Sequence, residues 1–421
     1  MQLVKNFSDM AERLEGSEIL RLANKVRELN EGGKAIANFT VGDFMPGEFG
    51  IPLFLKEAIQ QKYSQGMTNY PPSMGMPELK RAVCTYLKHF HKLEYTPNET
   101  LIAGGARPLI YLAYAALVNP GEKAIFPVPS WNNNHYCKLL GLDAVPVEVS
   151  AEHNFLPIVQ DIEKHLPDAY LLALTSPLNP TGTMFSRDAL FGICEAVLKE
   201  NLKRQEQGRR PCYILYDQMY ALLAFDREHF IPTQLFPELR PWLIIADGAS
   251  KWLAGTGIRV GWAYAPEPLI QVMGNMLAHI GAWAPKAEQL GVAEILTHIP
   301  ETEKAVSILK SKIRKRLEHI YAMLKEMQAE GLPVEAISPQ GAMYLSVRIP
   351  LIGRTLKNGQ TLNGNFQIAD WLLEVAGIAL VPFQAFGVPA ENGWFRLSVG
   401  GVSDEDIRSA MINLRNCLTE L

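Results

Sequence analysis

The feature that most restricts the fold is an alternation, through the middle of the chain, of short apolar runs with longer amphipathic stretches. Runs at Lys123–Val128, Ala144–Val149, Tyr170–Leu174, Tyr213–Tyr216, Leu243–Ala246 and Val260–Ala265 have strand length, and Leu101–Ala103 adds a shorter one. Between them lie segments such as Arg187–Glu200 with helical length and spacing. Strands that alternate with helices are joined by crossovers, so their sheet is expected to be largely parallel. An apolar fraction of 48% over 421 residues is enough for such a core and for a second domain.

The pattern changes at Glu303. Val306, Leu309, Ile313, Leu317, Ile320, Leu324 and Met327 recur at steps of three and four, which predicts one long single-faced helix ending at Gly331. Beyond it, Pro333–Leu421 carries strand-like pieces at Ala342–Val347 and Trp394–Val399 and a helix from Asp404. The expected fold class is therefore α/β. A large domain (residues 46–305) holds a mostly parallel seven-stranded sheet covered by helices, and residues 1–45 and 306–421 form a smaller α+β domain from both termini.

Composition narrows the functional classes. A net charge of −4 gives no reason to expect nucleic acid or an anionic membrane as partner. No apolar run approaches the roughly 20 residues that span a bilayer, and Met1–Asn30 has helical spacing without a signal-peptide core. Five cysteines (Cys84, Cys137, Cys194, Cys212 and Cys417) are odd in number and lack metal-like spacing. They read as reduced thiols of a cytoplasmic protein, with no metal site.

The chemistry is concentrated where strands end. In open α/β sheets, ligands bind beyond the carboxyl ends of the strands. Tyr170–Thr175 runs into Ser176-Pro177-Leu178-Asn179-Pro180-Thr181-Gly182, Tyr213–Tyr216 into Asp217 and Tyr220, and Leu243–Ala246 into Ser250-Lys251. Singly, each has a plain reading: Asp217 as a helix cap, Asn179 as a turn residue, Lys251 as a snorkelling side chain. Together they bring an amide, a carboxylate, a phenol and an amine to one rim. Arg259 follows Lys251 by eight residues amid glycines, a spacing that suggests a Schiff base to a phosphorylated aldehyde with the arginine on the phosphate. Gly104-Gly105-Ala106-Arg107-Pro108, ahead of a helical Leu109–Leu117, forms an anion cradle at a helix N-terminus. The Gly255-Thr256-Gly257…Gly261 cluster lacks dinucleotide-binding spacing and opens no helix.

These motifs resemble the aspartate aminotransferase family, the class I/II aminotransferases of fold type I that use pyridoxal 5′-phosphate (PLP). The resemblance runs from Asn38-Phe39-Thr40-Val41-Gly42 to Phe395-Arg396-Leu397-Ser398. It implies that Lys251 is the Schiff-base lysine and proton shuttle, and that Asp217 pairs with the pyridine nitrogen. Asn179 and Tyr220 would bond the ring's 3′ oxygen and keep the imine pKa low. Arg259, with Gly105, Ala106 and Ser250, would hold the phosphate, Trp131 would stack on the ring, and Arg396 would clamp the substrate carboxylate beside Gly42 and Asn179. Tyr70 would reach the phosphate of a partner subunit, which implies a homodimer.

Several positions depart from the family pattern. Gly248 and Ala106 replace hydroxyl residues, and Arg107 is the candidate for replacement charge. A supporting histidine falls at Asn134, with His135 next to it, and Phe383 replaces a glycine, where its ring is expected to narrow the pocket. The leading expectation is a transaminase that transfers an amino group from an L-amino acid to a 2-oxo acid in a ping-pong cycle, with dicarboxylic or broad specificity. A PLP-dependent lyase, such as a cysteine-S-conjugate β-lyase, shares most of these residues. A PLP-binding regulator would need a DNA-binding domain that the ~45 leading residues do not hold.

Overall fold

The computed structural model describes residues 7–14, 16 and 18–421. The helical spacing read over Met1–Asn30 becomes helices Asp9–Arg13 and Glu18–Glu31, while Met1–Asn6, Glu15 and Ser17 lie outside the described residues. A two-residue strand, β1 (Ala37–Asn38), comes next. It is followed by β2 (Thr100–Ala103), β3 (Lys123–Val128), β4 (Asp143–Glu148), β5 (Ala169–Thr175), β6 (Tyr213–Asp217), β7 (Leu243–Gly248) and β8 (Gly261–Tyr264). Strands β2 to β8 form one seven-stranded sheet in the order β2-β8-β7-β6-β5-β3-β4. Only β8 runs antiparallel to its neighbours, β2 and β7.

Every residue of β7 is buried. A sheet covered on both faces has no solvent side, so its strands read as continuous apolar runs. One covering helix, Ala106–Leu117, packs on β6, β7 and β8 and points its N-terminus at the carboxyl ends of the parallel strands. Strand order reverses at β3, which lies between β4 and β5, so the loops after β3 and β5 diverge around a crevice. Register aligns the other outlets: Thr175 pairs with Asp217, and Asp217 with Ala246. The turns carrying Asn179, Asp217 and Lys251 therefore leave the sheet side by side.

The long helix is Ile299–Ala329, and all seven residues of the predicted stripe are buried in it. It begins ahead of Glu303 because Pro300 is suited to a first helical turn, and it continues unbroken past residue 305. Strands β9 (Glu335–Ala336), β10 (Tyr344–Arg348), β11 (Ile378–Ala379), β12 (Val381–Pro382) and β13 (Trp394–Ser398) follow. A four-stranded antiparallel sheet has the order β12-β13-β10-β9, and β1 pairs in parallel with β11. Segments from both ends of the chain thus share one layer. Helix Asp404–Thr419 starts in a capping box between Ser403 and Asp406.

One charged residue interrupts the apolar face of the long helix. Arg316 is buried, donates to Asp404 and to the Val402 carbonyl, both at 2.6 Å, and pairs with Glu48. A buried guanidinium is tolerable only when its donors are used. Here they tie the segment after β1 and the last helix to the long helix.

Near the crevice, backbones approach as closely as glycine allows. A Cβ on Gly261 would lie 2.3 Å from the Gly105 carbonyl carbon and 2.5 Å from the Ala106 nitrogen. A Cβ on Gly248 would lie 2.9 Å from both the Gly261 Cα and the Val260 oxygen. The missing hydroxyl at Gly248 therefore has a packing cause, since any side chain there would push β7 from β8. Gly261→Ala is expected to destabilise the protein by about 3 kcal/mol, the upper range for overpacking, because the obstruction is backbone. Urea unfolding monitored by circular dichroism measures this, and a loss below about 1 kcal/mol would contradict the close approach.

Candidate active site

A cavity of about 440 Å³ opens where the turns after β3, β5, β6 and β7 meet the segment after β1 and the strands β10 and β13. Some of its lining groups were read from strand ends, and others, such as Gly42, Trp131 and Arg396, were implied by the resemblance. Gly42, Ala106, Arg107, Trp131, Asn179, Asp217, Tyr220, Ser250, Lys251, Arg259 and Arg396 all line it.

Lys251 leaves the turn after β7 and donates from Nζ to the Gly42 carbonyl at 2.6 Å. Its amine lies 5.9 Å from the centre of the Tyr220 ring. Burial pushes the amine down to about 8, and the charges of Arg396, Arg259 and Arg107 push the same way, against the pull of Asp43. Asp217 ends β6 and accepts at Oδ1 from the Met219 N–H at 3.0 Å. Burial pushes its carboxyl up to about 6, while that N–H and the Lys251 charge oppose the rise. A carboxylate raised by burial in this way is stabilised by any cationic N–H that enters the cavity.

On another wall, Arg396 is 1% exposed and projects from β13. It donates from Nη1 to Asn179 Oδ1 at 3.1 Å and from Nη2 to the Thr40 carbonyl. Its guanidinium lies 4.8 Å over the Tyr344 ring and 5.0 Å over Phe386. The buried Nε has no partner among the described residues, so the guanidinium is held in place with one donor unused. Near the helix start, Arg259 sits in the left-handed region at φ 56° and donates to the Thr256 and Gly104 carbonyls at 2.9 and 2.8 Å. Gly105 itself does not line the cavity, but a Cβ on it would meet the Arg259 guanidinium at 2.6 Å. The neighbouring Arg107 adds to burial in lowering the Arg259 pKa. Two cations that repel each other at a helix N-terminus call for a polyvalent anion.

Other expectations meet a different geometry. Phe383 does not narrow the cavity: its ring is fully buried among Phe155, Trp394 and Phe386, because the short helical turn Phe383–Phe386 faces it into the core. Tyr70 does not line this chain's cavity; it is 83% exposed and packs edge-on against Trp283. Neither Asn134 nor His135 lines the cavity, whereas Tyr136 does.

Four polar lining residues were not among the sequence candidates: Asp43, Tyr136, Thr256 and Tyr344. The Thr256 hydroxyl donates to Asp43, and the Tyr344 and Tyr220 hydroxyls are 2.6 Å apart. Tyr344 lay within a recognised strand, but its strand belongs to the other sheet, so no local signal pointed it at Tyr220. A buried network behind the wall was missed as well. Asp247 Oδ2 accepts from the Tyr86 hydroxyl at 2.9 Å and from Gln218 Nε2 at 3.2 Å, beneath the turn that carries Lys251.

The cavity therefore offers an amine of lowered pKa, a raised carboxylate, a dication at a helix start and a buried arginine with one donor unused. That set fits a phosphorylated pyridine aldehyde: the amine for the carbonyl, the carboxylate for a ring N–H, and the dication for the phosphate. Comparison with known proteins agrees. The sequence profile of the family described as "Aminotransferase class I and II" matches residues 34–414. The aspartate/prephenate aminotransferase of Cereibacter sphaeroides is 30% identical over 414 residues, covering 97% of both chains. The aspartate aminotransferase of Bacillus sp. strain YM-2 is 28% identical, over 89% of this chain and 90% of that one. Among solved structures, the Thermus thermophilus aspartate aminotransferase with maleate superposes with a TM-score of 0.86 at 25% identity, covering 99% of this chain and 100% of that one. The chain belongs to the class I and II aminotransferases, enzymes that depend on pyridoxal 5′-phosphate and are built on the fold type I α/β scaffold.

Because only the free amine is nucleophilic, the lowered Lys251 pKa sets a pH profile. Covalent capture of PLP by the ligand-free protein is expected to accelerate as pH rises through about 8 and to level off above it. Stopped-flow absorbance after mixing checks this; a rate still rising steeply from pH 9.5 to 10.5 would mean an unperturbed lysine.

Proposed function

We propose that the enzyme is a transaminase that carries an amino group from an L-amino acid to a 2-oxo acid in two half-reactions, with dicarboxylic substrates among those it accepts. The observation that carries this reading is the pairing of Lys251 and Arg396 across one cavity. An amine whose pKa burial lowers to about 8 can give up and take a proton near neutral pH, and a buried guanidinium can orient a carboxylate. PLP, when bound, supplies a carbonyl carbon for amines and a ring that draws electrons from the substrate's Cα–H bond.

In this reading the protein's own groups have separate tasks. Lys251 Nζ takes the proton from the substrate Cα and returns it. Asp217 holds a proton on the ring nitrogen, which its raised pKa favours because a cationic partner relieves the buried charge. Asn179 and Tyr220 donate to the ring oxygen, Trp131 covers the ring face, and Ala106, Ser250 and Arg259, with Gly105 behind them, hold the phosphate. Arg396, with Gly42 and Asn179 beside it, would bind the α-carboxylate and so orient the substrate's Cα bonds.

Arg107 is exposed, lies 5.5 Å over the Trp131 ring and lines the cavity. We assign it to the distal carboxylate of a dicarboxylic substrate. Support comes from relatives named for aspartate and from the Thermus structure bound to maleate, a dicarboxylate. The exposed Tyr70 supports a homodimer in which it reaches the partner's phosphate site. The β1–β11 pairing supports residues 1–45 and 306–421 as one unit beside 46–305. Five free cysteines, four of them buried, favour a reducing compartment such as the cytoplasm.

Three measurements test the reading. Lys251→Ala is expected to keep PLP through its phosphate and ring contacts while losing at least about 10⁴-fold in kcat. Near wild-type turnover would end the assignment. Arg107→Ala is expected to raise the KM for aspartate about 10-fold or more, the loss of one charged hydrogen bond, with little change for alanine. A weakened PLP affinity at unchanged KM would instead assign Arg107 to the phosphate. Initial rates at varied donor and acceptor should give parallel double-reciprocal lines; intersecting lines would exclude two separate half-reactions.

A further inference from the structure

Tyr344 is the first residue of β10 and belongs to the antiparallel sheet, yet its hydroxyl stands 2.6 Å from that of Tyr220 on the rim of the large sheet. Three other observations fix its setting. The ring is 1% exposed and lies 4.8 Å beneath the Arg396 guanidinium. A Cβ on Gly42 would come within 2.7 Å of the Tyr344 hydroxyl, so the backbone there closes one side. Both phenols are kept protonated by burial, which raises the pKa of each.

Each phenol has a single proton to donate, so the order of the pair has consequences. If Tyr220 donated to Tyr344, its oxygen would offer only lone pairs to the cavity, where a ring oxygen also offers lone pairs. If Tyr344 donates to Tyr220, the Tyr220 proton is free for the cavity, and the donation polarises it further. We propose that Tyr344 is a positioning residue: it donates to the Tyr220 oxygen, aims the Tyr220 proton at the cofactor's ring oxygen, and carries Arg396 on its ring face. One side chain then couples the contact to the cofactor with the clamp on the substrate. The inference rests on the assignment of Tyr220 to the ring oxygen.

The test separates the hydroxyl from the ring. Donors to the ring oxygen hold down the pH midpoint at which the visible absorbance of the bound cofactor changes. Holoenzyme carrying Tyr344→Phe should show that midpoint raised by about half a pH unit, with KM for the amino acid within about twofold because the ring under Arg396 remains. Tyr344→Leu should show the same rise and also a KM about fivefold higher, the loss of a cation–π contact. Tyr220→Phe should raise the midpoint further, and Tyr344→Phe should add nothing in that background. A midpoint unmoved or lowered in Tyr344→Phe while Tyr220→Phe raises it overturns the donor order. An unmoved midpoint in Tyr220→Phe overturns the Tyr220 assignment, and this inference with it.

Discussion

The site depends on how closely three stretches of backbone approach one another. Gly248 at the end of β7, Gly261 at the start of β8 and the Gly105 turn touch with no room for a Cβ on Gly248 or Gly261. That contact sets the position of the turn carrying Lys251 relative to the start of helix Ala106–Leu117, which is the position of the amine relative to the phosphate cradle. The two are adjustable only together, because β8 is hydrogen-bonded to both β7 and β2. Antiparallel β8 is thus the splint that joins the lysine turn to the cradle. The Arg259 donors to Gly104 and Thr256 then close the same joint from the side chains.

Within that frame, none of the cations lining the cavity has an ion pair with a carboxylate among the described residues. Lys251, Arg107, Arg259 and Arg396 face one cavity, and Asp43 and Asp217 are the carboxylates among the residues lining it. Burial lowers the pKa of Lys251 and of Arg259, and the neighbouring cations lower both further. A phosphate and a carboxylate entering together would relieve that repulsion. The same electrostatics thus favour anionic ligands and keep the lysine amine available as a base.

Much of this was legible in the sequence because strand ends are local. Asp217 follows an apolar run directly, Asn179 and Lys251 lie in the turns that close theirs, and the parallel sheet does the rest by aligning Thr175, Asp217 and Ala246. The seven-residue stripe of the long helix was equally local. What could not be read is what arrives from another layer. Tyr344 comes from the small sheet and Asp43 from the segment after β1, and nothing in their neighbours marks the meeting with Tyr220 or Thr256. Phe383 shows the reverse error. A change of residue at a pocket position suggested a narrower pocket, but side-chain direction depends on the backbone turn Phe383–Phe386, which sends the ring into the core.

The two carboxylates at the ends of β6 and β7 show how the fold keeps roles apart. Asp217 and Asp247 sit on adjacent strands, and each raises the other's cost of ionisation when both are charged. Asp217 has a backbone donor and an open cavity in front of it. Asp247 is sealed at 0% exposure, and burial pushes its carboxyl up to about 7 despite the Gly248 N–H, Tyr86 and Gln218 donors. Gln218 follows Asp217 directly, and its amide donates to Asp247 and also to the Tyr264 hydroxyl at 2.7 Å on β8. Trp252, which follows Lys251, stacks on Tyr86 with the rings 5.6 Å apart. The inner carboxylate thus ties together the residues next to both working groups, while the outer one is left free to meet a ligand. Among the described residues the sealed carboxylate meets protein groups, namely the Gly248 N–H, the Tyr86 hydroxyl, the Gln218 amide and, 4.0 Å away, His91 Nε2. Leaving the outer charge in need of a cationic partner is what makes the cavity receptive.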